Sequence, residues 1–292
     1  MPGQRIFWYT YETHPRRNLD GRGSLVKLND TCRAHGESLP INMGRKPWTG
    51  FCAKWIELER RVAQHSGDDI IFVTDARDVL LNRPLDDELR EAFAALSEGG
   101  RCAVFSSETE CCVPPLYYHA PGSFIDRRGR RRNLAVQGDD ADYSDDNVTK
   151  WLTSMRSLRR RRRVSWGGTS LNAGLAVATA KVWKDLLAAL KIQKPSEDDQ
   201  ALWTELLLRE GQPIRLDYGS RIFYNAPKGS GGGIAFDAHA GAYMARVTEA
   251  PSERRPLPFI IQFPSLDNVP SKLGAYLRMH RRFARLPLKK QQ

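Results

Sequence analysis

Residues 69–81, Asp-Ile-Ile-Phe-Val-Thr-Asp-Ala-Arg-Asp-Val-Leu-Leu, constrain the fold more than any other stretch of the chain. Ile70 to Val73 is an apolar run short enough for a buried strand and too short for a helix. The run ends at Thr74, and two carboxylates three residues apart, Asp75 and Asp78, follow it. Open α/β sheets bind ligands outside the carboxyl ends of their strands, which is where such a strand delivers its acids. Two close carboxylates repel, and one holds its proton unless a cation neutralises the pair. The spacing therefore reads as a site for a hard divalent metal, Mn2+ or Mg2+, shared with substrate phosphates. The competing reading is a strand-to-turn junction whose acids cap the next helix.

The rest of the chain supplies a sheet for that strand. Arg5–Thr10 reads as a strand, Leu25–His35 as a helix and Leu39–Met43 as a second strand, the β-α-β opening of a parallel sheet. A loop bounded by Gly44 and Gly50 carries Trp48, which is either a core residue or a platform for a flat base. Trp55, Leu58 and Val62 then fall at helical spacing, and Lys54 sits in the first turn of that helix, where a phosphate can meet it. After the acid strand, Pro84 suits a helix start, Leu85, Leu89, Phe93 and Leu96 mark the helix, and Gly99-Gly100 end it. Cys102–Ser107 is a short strand ending at Glu108 and Glu110. This alternation predicts an α/β sheet of nucleotide-binding type.

Residues 116–164 break the pattern, and a charged stretch of that length predicts a mobile lid or a disordered insertion in a single domain of 292 residues. Order returns with a loop-to-strand passage at Ser170–Val177, a helix over Lys181–Leu190, and a second helix opened by Ser196-Glu197-Asp198-Asp199-Gln200. Short strands follow around Ile214–Leu216, Ile222–Tyr224 and Phe259–Phe263, with a glycine-rich linker at 229–233. A last helix runs from Ser271 and Lys272 to Met279, with Leu273 and Leu277 turned inward.

The net charge of +11 is concentrated in arginine blocks at 127–132 and 156–163 and in a basic tail from Arg278 to Lys290. Nothing aromatic is interleaved with the blocks, so they read as solvated surface rather than a nucleic-acid interface. No run of apolar residues is long enough for a membrane span. The five cysteines lack the spacing of a zinc site or a disulfide framework, and the N-terminus lacks the features of a signal peptide, which predicts a cytoplasmic protein with reduced thiols.

Seven segments in order resemble the glycosyltransferase domain of the procollagen-lysine hydroxylase and procollagen glycosyltransferase family. They are Lys54 in its helix, Phe72–Leu80, Val104–Glu108 with Cys112-Val113-Pro114, Leu171-Asn172-Ala173-Gly174, Asp198–Leu202, Asp217-Tyr218 with Arg221–Asn225, and Pro270–Leu273. The resemblance implies a GT-A fold: a Rossmann-like nucleotide-sugar-binding sheet merged with an acceptor-side half. It implies Mn2+ on Asp75 and Asp78, with Gln262 where the family has its third, histidine ligand. It also implies Trp48 and Arg77 beside the base, Thr74, Lys54, Ser271 and Lys272 around the UDP-sugar donor, and Asp198, Asp199 and Asn172 near the transferred sugar.

The activity so implied moves a hexose, glucose or galactose, from a UDP-sugar to a hydroxyl of a protein or glycan acceptor, hydroxylysine of a collagen-like protein among them. Gln262 in place of histidine keeps an alternative open, a GT-A domain that binds a nucleotide sugar or a protein without turning over. Oligomeric state is left open by the sequence, with a homodimer as the alternative to a monomer.

Overall fold

The computed structural model describes residues 4–13, 24–44, 47–108, 154–161, 168, 170–209, 211–227, 233–245, 256–264 and 270–285, together with the backbone of 123–125 and 131–133. The first half contains β1 (Ile6–Thr10), α1 (Leu25–His35), β2 (Ile41–Asn42), α2 (Ala53–Val62), β3 (Ile70–Thr74), β4 (Val79–Leu81), α3 (Asp87–Leu96), β5 (Ala103–Glu108), β6 (Ser123–Ile125) and β7 (Arg131–Asn133). The second half contains β8 (Ser170–Thr179), α4 (Ala180–Leu190), α5 (Asp199–Leu208), β9 (Ile214–Asp217), β10 (Phe223–Asn225), β11 (Ile234–Asp237), β12 (Ala242–Ala245), β13 (Ile260–Gln262) and α6 (Pro270–Phe283). Most of 116–164 lies outside the described residues, as do Cys111, Cys112 and most of the 229–233 linker.

Six strands form the main sheet in the order β2-β1-β3-β8-β5-β9. β1 pairs in parallel with β2 and β3, and β5 with β9, whereas β8 runs antiparallel to both β3 and β5. The sheet is thus mixed rather than wholly parallel, and this one reversed strand carries the Asn172–Gly174 turn into the middle of the sheet's carboxyl end. Side chains of β3 alternate between two apolar layers, as the pleat demands. Ile70 and Phe72 join Leu28, Leu89, Phe93 and Phe223, while Ile71 and Val73 join Trp55, Phe105, Trp183 and Trp203. Each large side chain buried this fully contributes about 1.5–3 kcal/mol, so β3 is among the least movable parts of the molecule. The sheet is covered on both faces and has a reversed strand beside the acid strand, an α/β architecture as expected.

A smaller sheet, β10-β13-β4, leans on the carboxyl end of the first, and α6 and the β11–β12 hairpin share a third apolar cluster with it. The sequence pattern does not announce β4, because three apolar residues directly after the acid turn look like the approach to a helix. Pairing of Val79 with Gln262 and of Leu81 with Ile260 makes them a strand. On α6 the inward face consists of Lys272, Ala275, Tyr276, Met279 and Phe283, with the expected Leu273 and Leu277 only partly buried. Cys32, Cys52 and Cys102 are buried free thiols. No helix among the described residues is long and apolar enough to cross a membrane.

Candidate active site

The turn between β3 and β4 is held from both sides by backbone hydrogen bonds. The Asp75 amide donates to the Gly174 carbonyl at 2.8 Å, and the Phe263 amide donates to the Asp78 carbonyl at 2.8 Å. Between these anchors the two carboxylates meet Gln262, the last residue of β13. Its Nε2 lies 3.0 Å from Asp75 Oδ2 and 3.3 Å from Asp78 Oδ2. Gln262 is 2% exposed, and its buried Oε1 has no hydrogen-bond partner among the described residues. A buried amide oxygen without a donor costs about 1–3 kcal/mol, and an amide's N and O are interchangeable by a flip.

Glycine at 174 makes room for this meeting. β8 loops out against β5 where the register jumps from Ala176 to Asn172, leaving Ala173, Gly174 and Leu175 unpaired on that side. Bulges of this kind re-aim residues next to sites. A Cβ on Gly174 would stand 2.5 Å from Gln262 Nε2, 2.6 Å from Asp75 Oδ2 and 2.7 Å from Gln262 Oε1. The cradle is therefore bounded by two carboxylates, an amide and a glycine. Among the described residues no three His, Cys, Asp or Glu side chains form a metal-holding group. The donor set here is two carboxylates and one amide, and all-oxygen donors suit Mg2+ or Mn2+. The orphaned Oε1 and the open cradle fit a hard cation.

Lys54 lies behind Asp75. It is buried, and its Nζ reaches Asp75 Oδ1 at 2.9 Å, the Ala173 carbonyl at 2.9 Å and Asp199 Oδ2 at 3.5 Å. Trp55, the next residue on α2, donates its indole N–H to the same Asp199 oxygen at 2.8 Å. Burial pulls the Lys54 ammonium's pKa down, but Asp75 and Asp199 together outweigh it and leave it raised. Burial also raises the Asp199 carboxyl, against the opposing pull of Lys54 and Trp55. The contacts are those of an ion pair, so the proton belongs on the lysine. Asp78 is pushed up to about 7, first by desolvation and then by the Asp75 charge, with Gln262 and Lys272 opposing.

The remaining expected residues fall around this centre in different ways. Lys272 is buried in the first turn of α6, donating to the Pro264 carbonyl at 2.8 Å and acting on Asp78 through its charge, while Ser271 beside it is exposed. Asp198 is the N-cap of α5, its Oδ1 accepting the Ala201 amide at 2.9 Å. Asn172 caps the bulge, its Oδ1 accepting the Gly174 amide at 2.8 Å. Thr74 is fully buried, its hydroxyl accepting from the Trp8 indole and its carbonyl from the Thr10 hydroxyl, so it ties β1 to β3. Arg77 forks onto the buried Glu12 carboxylate through both Nε and Nη2. Trp48 is 53% exposed and stands edge-on to the equally exposed Phe51 at 5.4 Å. Their loop is tied to the segment before α5, with the Cys52 amide on the Pro195 carbonyl at 3.1 Å.

Three residues around the site receive no role from the sequence. Gly174 carries a signal only as part of Leu171–Gly174. Glu12, which fixes Arg77, follows β1 without any pattern. Glu108 at the end of β5 is buried and accepts Asn172 Nδ2 at 3.1 Å and Gln200 Nε2 at 2.8 Å, so it locks the bulge to α5.

No protein-family model matches the chain, and no curated protein does. Among solved structures it is similar to a glycosyltransferase involved in the glycosylation of the major capsid of PBCV-1. That likeness covers 95% of this chain and 99% of the other at 11% identity, with a TM-score of 0.44. At that score it carries no argument about activity.

Proposed function

We propose that the chain transfers a hexose, glucose or galactose, from a UDP-sugar to a hydroxyl on a protein or glycan. In this reading Asp75, Asp78 and Gln262 hold a divalent cation, Mn2+ or Mg2+. The observation that carries it is the buried Gln262 amide, whose Nε2 lies on both carboxylates and whose Oε1 has no hydrogen-bond partner among the described residues, at a point where a Cβ on residue 174 would collide. The ordered likeness to the procollagen glycosyltransferase family adds the donor and allows hydroxylysine as one acceptor.

When bound, the cation supplies Lewis-acid neutralisation of the leaving diphosphate. The chain's own residues do the rest. The bond from the anomeric carbon to the diphosphate oxygen breaks with its electron pair on that oxygen, the acceptor oxygen bonds to the carbon, and the acceptor proton passes to a carboxylate. Lys54 and Lys272, both buried and charged, set positive potential at the two sides of the acid pair, where the leaving group's charge grows. A cation held by the pair would keep Asp78 ionised. Asp199 is the choice for the proton or for facing the cationic sugar, because its Oδ1 takes no hydrogen bond among the described residues. Asp198 has the helix cap to hold.

A panel of UDP-sugars assayed for Mn2+-dependent hydrolysis and transfer tests the reading. Turnover in the wild type and its loss in Asp75→Ala and Asp78→Ala is expected; full turnover in both variants would contradict it. One observation favours a second reading, a binding module without turnover. Lys54 already pairs with both Asp75 and Asp199, so part of the acid charge is compensated without a ligand. Binding of UDP with no gain from Mn2+ and no hydrolysis of any donor would select that reading.

A further inference from the structure

We infer that α6 carries a second anion site, remote from the acid pair, for a ligand with two or more clustered phosphates. A hollow of about 600 Å3 is lined by Arg278, Arg281, Arg282, Arg285 and Tyr243. Arg278, Arg281 and Arg282 follow the spacing of one face of α6, and Arg285 continues it in the turn just past the helix end, so the four line one hollow. Neighbouring like charges repel, and nature usually interleaves acids along such a face. Here no ion pair joins any of the four to a carboxylate among the described residues. Asp30, an acid that reaches α6, is taken by His280 at 3.1 Å and by Arg33 at 3.0 Å.

A solvated helix face and a favourable helix-end charge account for one or two of these arginines. They do not account for the aromatic floor. Arg282 Cζ sits over the Phe236 ring, 3.7 Å from its centroid, and Phe236 packs edge-on to Tyr243, which packs on Phe283 of α6. Stacking fixes the guanidinium plane and leaves its N–H edge free for oxygen ligands. Arg281 spends its Nε on the Leu277 carbonyl at 3.2 Å, which holds the side chain and leaves both terminal nitrogens. Four guanidinium forks lining one hollow with Tyr243, two of them held in place, suit phosphate groups, which guanidinium binds bidentately. Arg278 follows Lys272 by six residues, about 9 Å along the helix axis, so the hollow is not the site that faces Asp78.

The test measures binding of inorganic triphosphate to the full chain in EDTA, where no metal–phosphate complex can form at the acid pair. A second arm uses vesicles with and without a phosphatidylinositol bisphosphate. Saturable triphosphate binding that weakens about tenfold or more in Arg278→Gln/Arg282→Gln, recovers in part in the double lysine variant, and survives in Arg159→Gln/Arg160→Gln is expected. Binding confined to the bisphosphate vesicles, with the same variant pattern, assigns the phosphates to a lipid headgroup. Unchanged affinity in Arg278→Gln/Arg282→Gln in both arms, or equal loss in the 159/160 variant, overturns the inference. If the double variant melts early, Arg285→Gln alone serves. Asp75→Ala separates the two sites: it abolishes the proposed transfer and leaves triphosphate binding as it was.

Discussion

Replacing Lys54 with methionine removes one charge from the centre of the site, together with the hydrogen bond to the Ala173 carbonyl. Methionine is one atom shorter and keeps an unbranched apolar stem beside the Trp55 ring, over which Nζ now sits at 4.9 Å. What is lost is the cation between two acids. Asp75 is 42% exposed at its side chain, so water screens most of its loss. Asp199 is only 10% exposed, and it stays buried with nothing but the Trp55 indole to hold its charge. Stranding a buried charge costs about 3–5 kcal/mol. The retained indole bond and the exposure of Asp75 bring the expected cost to about 3 kcal/mol, a fall of about 6–12 °C in Tm for a domain of this size.

The sign with pH follows from the shifts. The Lys54 pKa is raised on folding, so its contribution is fully present below its unfolded pKa and is lost only as pH rises through the folded one. In the wild type it is constant across neutral pH. In Lys54→Met, Asp199 is raised further, and a carboxyl raised by folding destabilises as pH climbs from its unfolded to its folded value. The deficit should therefore shrink on acidification. Thermal unfolding of both proteins from pH 5 to 8 checks this; an unchanged Tm at neutral pH, or a deficit independent of pH, would refute the ion-pair assignment.

Gly174→Ala adds one methyl to the cradle. Gln262 and Asp75 are both anchored, so overpacking should cost about 1–3 kcal/mol and reduce Mn2+ affinity about tenfold or more while every charge remains; calorimetric Mn2+ titration checks it. Asp78, raised to about 7, makes proton and cation compete, so Mn2+ should bind about tenfold more weakly at pH 6 than at pH 8; a pH-independent affinity would contradict that. The same shift makes the metal-free protein less stable as pH rises from about 4 to 7, and Mn2+ should restore most of that loss at pH 8. Unfolding scans with and without the ion measure it.

The acid strand was legible because its information is local. An apolar run of strand length and two acids at its end define both the element and its chemistry, and Lys54 follows from helical spacing. The bulge at Ala173–Leu175, β4 and the β11–β12 hairpin were not, because each depends on partners far along the chain. Gln262 meets Asp75 only through a sheet between residues 187 positions apart, and no local pattern encodes that register. Thr74 and Arg77 illustrate the same limit. Sequence places them beside the acids, but the partners that occupy them, Trp8 and Glu12, come from β1 and its end. The leucines expected inward on α6 do pack on the third apolar cluster, but only partly buried, since α6 faces a small sheet that the sequence does not announce.

The most direct test of the account is a UDP titration of the wild-type chain with and without Mn2+. It predicts that Mn2+ tightens UDP binding by tenfold or more, about 1.4 kcal/mol of coupling, and that Asp75→Ala abolishes the gain. UDP affinity equal in Mn2+ and EDTA would mean that Asp75, Asp78 and Gln262 do not hold a nucleotide-bound cation.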